Sequence, residues 1–341
     1  MPKLARRRIE YGGAMIDELE IEAVNKVMRT GMAVGENVRS FEKRCAELMG
    51  HKYGVMVNSG SSALMLAMHL LRLPKGSEVI TPTLTFSTDV ASILHAGYVP
   101  VFAEVELDTY QIDVTKVEHL IGPKTRAMLV PNLVGGIPDW DALRAIADRH
   151  KLLLIEDSCD TLGARLRGRP PGARADISVT SFSIFHIITC LGNGGMVAVD
   201  DEKLWDEGLM LRCWGRSSEK YVHGTLRDRN DGRFLEDLDG IPYDGKFIFE
   251  DVAYGFIPTR PAPPSAMSSW TSWTASSNCA TSAGGCTTPL CASIRTCSSR
   301  CASPTMSTQR GSTIPSSCGR NWDGAGASCR CTWKTTRSPR A

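Results

Sequence analysis

The sequence predicts an α/β protein built on a mostly parallel mixed sheet, followed by a tail unable to form a domain. Three observations lead there. Short apolar runs alternate with amphipathic stretches from Gly54 to Gly215, the pattern of a sheet covered on both faces. The composition, 42% hydrophobic and 22% charged, suits a globular chain with a sizeable core. That composition then breaks abruptly at Arg260.

The first strand is GVMV, Gly54 to Val57, and NSGSS leads from it into a helix over Ala63–Leu71. EVITP is the second strand and FSTDVASILHAG a helix. YVPVFAEV is a strand and TKVEHLIG a helix; TRAMLVPN is a strand and DWDALRAIADRHK a helix. LLLIED and DISVTSFSI are strands, GGMVAVDD closes the series, and EKLWDEGLMLRCWG returns to helix. Ligands of such sheets bind where strands end and loops begin. Four chemically capable segments fall at such points.

Asn58, Ser59, Gly60, Ser61 and Ser62 join a strand to a helix. Small residues there let backbone N–H groups approach a phosphate at a helix N-terminus; an ordinary N-cap loop has the same composition. Phe86 follows the second strand and can stack on a flat heterocycle or fill the core. Asp157 ends LLLIED, where a carboxylate can pair with a pyridinium nitrogen or serve a turn. In SFSIFHIITCLGNGG, Ser181 can bond a phosphate, and His186 lies among apolar residues as a proton carrier or a core histidine. Gly192, Gly194 and Gly195 permit a tight turn and close backbone approach.

Residues 260–341 differ in kind. Through Thr259 there are 30 Lys and Arg against 36 Asp and Glu; beyond it, 9 basic residues face one acid, Asp323. Eight of the 12 cysteines lie in this tail, which has no Val, Phe, Tyr, Glu or His. Its only branched aliphatics are Leu290, Ile294 and Ile314, too few to offset the entropy of ordering it. A zinc site is disfavoured by the lack of a CxxC pair and of histidine. A disulfide domain does not suit the rest of the chain, and the diffuse charge carries no nucleic-acid motif. No apolar run reaches the roughly 20 residues of a membrane helix, and no apolar stretch follows the basic N-terminus as in a secretory signal. A cytoplasmic protein is expected.

Taken in order, NSGSSAL, TPTLTFSTDV, IEDSCDTLGA and SFSIFHIITCLGNGG resemble the DegT/DnrJ/StrS family of nucleotide-sugar aminotransferases. The resemblance runs from RIEYGG to AYGFIPT. It implies an aspartate-aminotransferase-like (type I) large domain for pyridoxal phosphate (PLP) over 13–259, after an N-terminal segment over 1–12. It also implies that Phe86 stacks on the ring, that Asp157 meets its nitrogen, and that Gly60, Ser61, Ser62 and Ser181 hold phosphate. Asp160 stands where the family often has Gln near the ring hydroxyl. The family's last motif has the form SFxxxKxxxxxGxGG, and its PLP-binding lysine falls here on His186.

Imidazole cannot bind PLP covalently but can move a proton near neutral pH. One branch of the family makes this change: dehydratases that remove the 3-hydroxyl of NDP-4-keto-6-deoxyhexoses with non-covalent pyridoxamine phosphate (PMP). DSCD and YDGKFIFEDVAYGF also resemble that branch. One of its forms carries a [2Fe–2S] cluster. Cys159 is a plausible ligand, but CWGRSSEKYVHG lacks the clustered cysteines such a centre requires. The form without a cluster, with glutamate as amine donor, is therefore expected, with His186 as acid/base and no metal. The implied substrate is a nucleotide-linked 4-keto-6-deoxyhexose, in deoxysugar, polysaccharide or natural-product biosynthesis. The implied assembly is a homodimer, without nucleic acid or membrane. The competing readings are a sugar aminotransferase (a transferase rather than a lyase) and a non-catalytic PLP-fold sensor or inactive truncated product.

Two departures from the family stand out. Gly255 replaces the Asn of the motif GYNxxxT, which reaches the phosphate of the partner subunit's cofactor. After AYGFIPT the family continues with a helix of the type SAAFGxxQLxKL, whereas this chain reads RPAPPSAMSSWTSWT. Met and Trp have single codons. Read one base earlier, MSSWTSWT can encode DVQLDKLD, and PAPPSA permits ASAAFG. A one-base change of frame near Arg260 is expected to have replaced the small C-terminal domain, leaving 260–341 disordered.

Overall fold

Strands buried on both sides need apolar residues at successive positions, and the runs 127–130 and 153–155 have them. A computed structural model of the chain describes residues 16–30, 35–226, 235–259, 263, 264, 266 and 267. The chain divides into two units, Met1–Ser298 and Ser299–Ala341, and every described residue belongs to the first.

Helices α1 (Glu18–Thr30) and α2 (Glu36–Met49) precede strand β1 (Tyr53–Val57). Then come α3 (Gly60–Leu70), β2 (Glu78–Pro82), α4 (Ser87–His95), β3 (Val99–Ala103) and α5 (Val114–Val117). β4 (Thr125–Pro131), α6 (Trp140–His150), β5 (Leu153–Asp157), β6 (Ile177–Ser181), β7 (Gly195–Val199) and α7 (Glu202–Arg212) follow. A short α8 (Glu219–Val222) and the hairpin β8 (Leu235–Leu238) and β9 (Ile241–Asp244) come last.

Seven strands form one sheet in the order β1-β7-β6-β5-β4-β2-β3. β7 runs antiparallel to β1 and β6, and the remaining neighbours are parallel. This is the mostly parallel mixed sheet expected. Side chains alternate between its faces. Val55, Val57, Leu129, Ile155 and Val197 share a core with Leu66 of α3, Ile93 of α4 and Leu209 of α7. Met56, Met196 and Ala198 turn to the other face, against Phe41 and Cys45 of α2. Met128, Val130 and Leu154 meet Trp140 and Leu143 of α6 on that second face.

The predicted helix TKVEHLIG shrinks to α5 and one 3-10 turn over Glu118–Leu120, burying only Val117. DISVTSFSI is a strand only as far as Ser181; beyond it, Phe182 turns into the core. α1, α2 and the hairpin lay outside the sequence reading. The hairpin turn is Asp239-Gly240, both left-handed (φ 52 and 82), as a two-residue turn requires. Arg212, 2% exposed, ties three elements together. Its Nη1 donates to Glu42 Oε1 at 2.6 Å and to the Met56 carbonyl at 3.0 Å, while the Met56 N–H donates to Glu42 Oε1.

Past Thr259, Ala266 is buried and Met267 packs beside it against the α2 face. Pro263 and Pro264 are also described; the other residues of the tail expected to be disordered lie outside the described residues, as do residues 1–15, which include the 1–12 segment and RIEYGG. No helix among the described residues is long and apolar enough to cross a membrane.

Candidate active site

The register brings the phosphate-type loop beside Ser181. Gly195 pairs with Val57 on one side and Ser181 on the other. The carboxyl ends of β1 and β6 therefore meet at the amino end of β7. The fit leaves no room for extra atoms. A Cβ on Gly60 would lie 2.6 Å from Ser181 Cβ, and one on Gly195 would lie 2.2 Å from the Ser59 carbonyl oxygen. Of the three glycines assigned to the tight turn, only Gly192 has positive φ (95), and Leu191 shares it (54). Gly194 and Gly195 serve close approach instead.

Within the loop, Ser59 caps α3: its Oγ accepts the Ser62 N–H at 3.0 Å. The Ser59 hydroxyl also donates to Ser62 Oγ at 2.9 Å. Ser62 is thus buried within the cap. Gly60 and Ser61 are the first helical residues, whose N–H groups have no acceptor within a helix. Ser61 is half-buried and Ser181 is 5% exposed, its Oγ accepting from the Ser183 N–H.

Phe86 is not a core aromatic: it is 64% exposed, at the start of α4. Asp157 ends β5 on the α3/α4 face, two residues from Ile155. It is buried, and its Oδ1 accepts the Cys159 N–H at 2.9 Å. Burial raises its pKa.

The segment from Phe182 to Gly194 is a folded loop rather than a strand. Phe182, Ile188 and Cys190 anchor it in the core. Phe182 N–H donates to the Gly194 carbonyl and Cys190 N–H to the Phe182 carbonyl. His186 rides on this loop, its side chain 21% exposed. Its Nε2 lies 3.9 Å from Asp160 Oδ1, and its Nδ1 is buried without a partner. Asp160 Oδ2 accepts the N–H of Val134, which is left-handed (φ 54, ψ 34), an uncommon state for a β-branched residue.

Sequence reasoning missed Asp89. It lies in the first turn of α4, fully buried, and its carboxyl meets that of Asp157. Burial, and then the charge of Asp157, push its pKa well above the usual carboxylate range. Two like charges 4 Å apart repel by about 4 kcal/mol at a protein's intermediate dielectric. A helix N-terminus returns only roughly 0.3–1 kcal/mol, so repulsion wins. The available signal was an acid set among apolar positions of a helix.

The same burial and the nearby Asp157 hold the Cys159 thiol un-ionised. No group of three or more His, Cys, Asp or Glu among the described residues is arranged to hold a metal ion. Gly255 bridges Cys213, and a Cβ there would lie 2.8 Å from the Trp214 Nε1. The indole occupies the space a side chain at 255 would need.

Residues 14–229 match the DegT/DnrJ/EryC1/StrS aminotransferase family. The dTDP-4-dehydro-2,6-dideoxy-D-glucose 3-dehydratase of Saccharopolyspora spinosa is 36% identical over 259 residues, 72% of this chain and 55% of that protein. The dTDP-3-amino-3,4,6-trideoxy-alpha-D-glucose transaminase of Streptomyces venezuelae is 38% identical over 216 residues, 62% of this chain and 57% of that protein. Among solved structures, a GDP-4-keto-6-deoxymannose-3-dehydratase with a trapped PLP-glutamate geminal diamine superposes with a TM-score of 0.69. It is 25% identical, over 77% of this chain and 68% of that one. The chain spans about half the length of the curated relatives it matches.

Proposed function

The chain belongs to the DegT/DnrJ/EryC1/StrS aminotransferase family, and from that premise we propose that it removes the 3-hydroxyl of an NDP-4-keto-6-deoxyhexose, with PMP held non-covalently. The observation that carries this reading is the imidazole of His186 in place of an amine, with Nδ1 unpartnered and Nε2 facing Asp160. The 36% identity to a 3-dehydratase supports it.

The residues present fit such a cofactor. Gly60 and Ser61 offer helix N-terminal N–H groups beside Ser181, so close that a Cβ on Gly60 would collide with the Ser181 side chain. These three would hold the phosphate; the Ser62 hydroxyl serves the cap. Phe86 offers an exposed aromatic face, and Asp157 a buried carboxylate for the ring nitrogen. Bound PMP would supply an amine for the 4-keto carbon and a ring that accepts electrons. His186 removes and returns the proton at the reacting carbon, and Asp160 steadies the charged imidazole. Lacking an amine at position 186, the chain cannot capture the cofactor covalently.

Glutamate is the proposed amine donor, a reading supported by the glutamate adduct trapped in the superposed dehydratase. A homodimer working in the cytoplasm completes the proposal. A single-turnover reaction of PMP-loaded protein with a 4-keto-6-deoxy sugar nucleotide tests it, and loss of the 3-hydroxyl is expected. A 4-amino sugar as sole product would establish the second reading, amino transfer, which the 38% identity to a transaminase favours. Absence of any reaction from a chain carrying the restored C-terminal frame would leave a non-catalytic role.

A further inference from the structure

We propose that Asp89 is a positioning residue: a neutral carboxyl that donates its proton to Asp157 and so keeps Asp157 ionised toward the ring nitrogen. The inference rests on the reading above that Asp157 meets that nitrogen.

The start of α4 and the end of β5 bring the two carboxyls within hydrogen-bonding reach. Ile155 packs with Ile93 of α4 in one core. Asp157 points the same way at the strand end, and Asp89 lies one turn before Ile93. Asp89 is 0% exposed and Asp157 5%. The charged groups acting on Asp89 are Asp157 and Asp160, both acids. On Asp157 they are Asp160 and Asp89 itself, with the Cys159 thiol as a hydrogen-bond donor. Two buried carboxyls in contact, with no cation among the described groups that act on them, cannot both ionise, so one proton is held between them.

Hydrogen bonding decides which carboxyl holds it. Asp157 receives the Cys159 N–H, which favours its charged form. Asp89 Oδ2 takes the Thr85 hydroxyl, while Oδ1 is buried and receives no donor. An oxygen in that position is satisfied only by carrying the proton and giving it to Asp157. With a cofactor bound, the protonated ring nitrogen, the Asp157 carboxylate and the neutral Asp89 carboxyl sum to zero charge, which a buried site tolerates. Without the Asp89 donor, Asp157 competes more strongly for the ring nitrogen's proton and the ring accepts electrons less well.

The test begins on the full chain without cofactor. Carboxyl 13C resonances of aspartate are followed against pH in the parent, Asp89→Asn and Asp89→Ala. A carboxyl that stays protonated through neutral pH is expected in the parent and missing from Asp89→Asn. PMP labelled with 15N in the ring is then added. The parent and Asp89→Asn, whose amide also donates, should hold the nitrogen protonated. In Asp89→Ala the nitrogen's apparent pKa should fall by about one unit, a roughly tenfold change in the protonation equilibrium. Full ionisation of both carboxyls in the cofactor-free parent overturns the shared proton. An unchanged ring nitrogen in Asp89→Ala overturns the positioning role. A protonated carboxyl in a chain that binds no PMP refutes the cofactor reading, and the role of Asp89 with it, while leaving the shared proton in place.

Discussion

Nε2 of His186 stands 3.9 Å from Oδ1 of Asp160, whose second oxygen is pinned by the Val134 N–H at 3.0 Å. A left-handed turn two strands from the histidine loop thus fixes the acid that faces His186. The imidazole faces an acid across the site, and its other nitrogen is left open.

His186→Asn should slow 3-deoxygenation by about 10²–10⁴-fold, the usual contribution of a positioned acid/base. PMP affinity should change little. His186→Lys should gain a covalent link to PLP that borohydride traps and intact mass records, while the parent shows none. A parent chain that traps PLP would sink the assignment.

Phe86 separates stability from binding. An exposed side chain removed from the surface usually changes stability by less than about 0.5 kcal/mol. The lost stacking, about 0.5–1.5 kcal/mol, should weaken cofactor binding up to roughly tenfold. Denaturant unfolding and a binding titration of Phe86→Ala check the two halves independently.

Gly195→Ala should destabilise more than Gly60→Ala. The added Cβ meets the Ser59 backbone carbonyl at 2.2 Å in the first case and the Ser181 side chain at 2.6 Å in the second. Overpacking of this kind costs about 1–3 kcal/mol, and a backbone oxygen inside a strand junction yields least. Urea midpoints of the two variants give the order.

Glu156 gives a pH signature. It is 1% exposed, on the face opposite Asp157, where Ser178 Oγ and Asn132 Nδ2 donate to it at 2.6 and 2.7 Å. Burial raises its pKa from 4.5 to about 7. The folded state therefore binds more protons than the unfolded state between those values. Its contribution is fully present below the unfolded pKa and is lost as pH rises toward about 7, a slope worth up to about 3 kcal/mol. His51, joined to it through Ser178 and lowered by burial, acts in the opposite sense. The diagnostic is the difference curve. Glu156→Gln should be flatter than the parent across this window in unfolding free energy against pH, and parallel curves would refute the assignment.

The gene around codon 260 should contain a one-base insertion or deletion. Restoring the frame should recover a small-residue helix in place of RPAPPSAMSSWTSWT. A clean read of the present frame, with no indel nearby, would make the tail genuine.

The alternation of apolar runs and helices, the strand-end placement of Asp157, and the missing amine at position 186 were all legible in the sequence. Each depends on local chemistry: periodicity, a residue type, or a position in a motif. α2 was legible in principle, since Val38, Phe41, Cys45, Ala46 and Met49 recur at helical spacing. The buried Glu42 interrupts that stripe and makes sense only once Arg212 arrives from α7. The Asp239-Gly240 turn is likewise a hairpin signal legible in the sequence.

Tertiary structure alone decided the rest. Asp89 and Asp157 are 68 positions apart in the chain, and no spacing rule joins them. Only the fold brings the first turn of α4 to the end of β5, where one carboxyl meets the other. The same holds for Val134 and Asp160, brought together by neighbouring strands β4 and β5. Sequence determines which groups are available, because that is a property of residues. Packing determines which groups share a proton, because charge repulsion and desolvation act through space rather than along the chain.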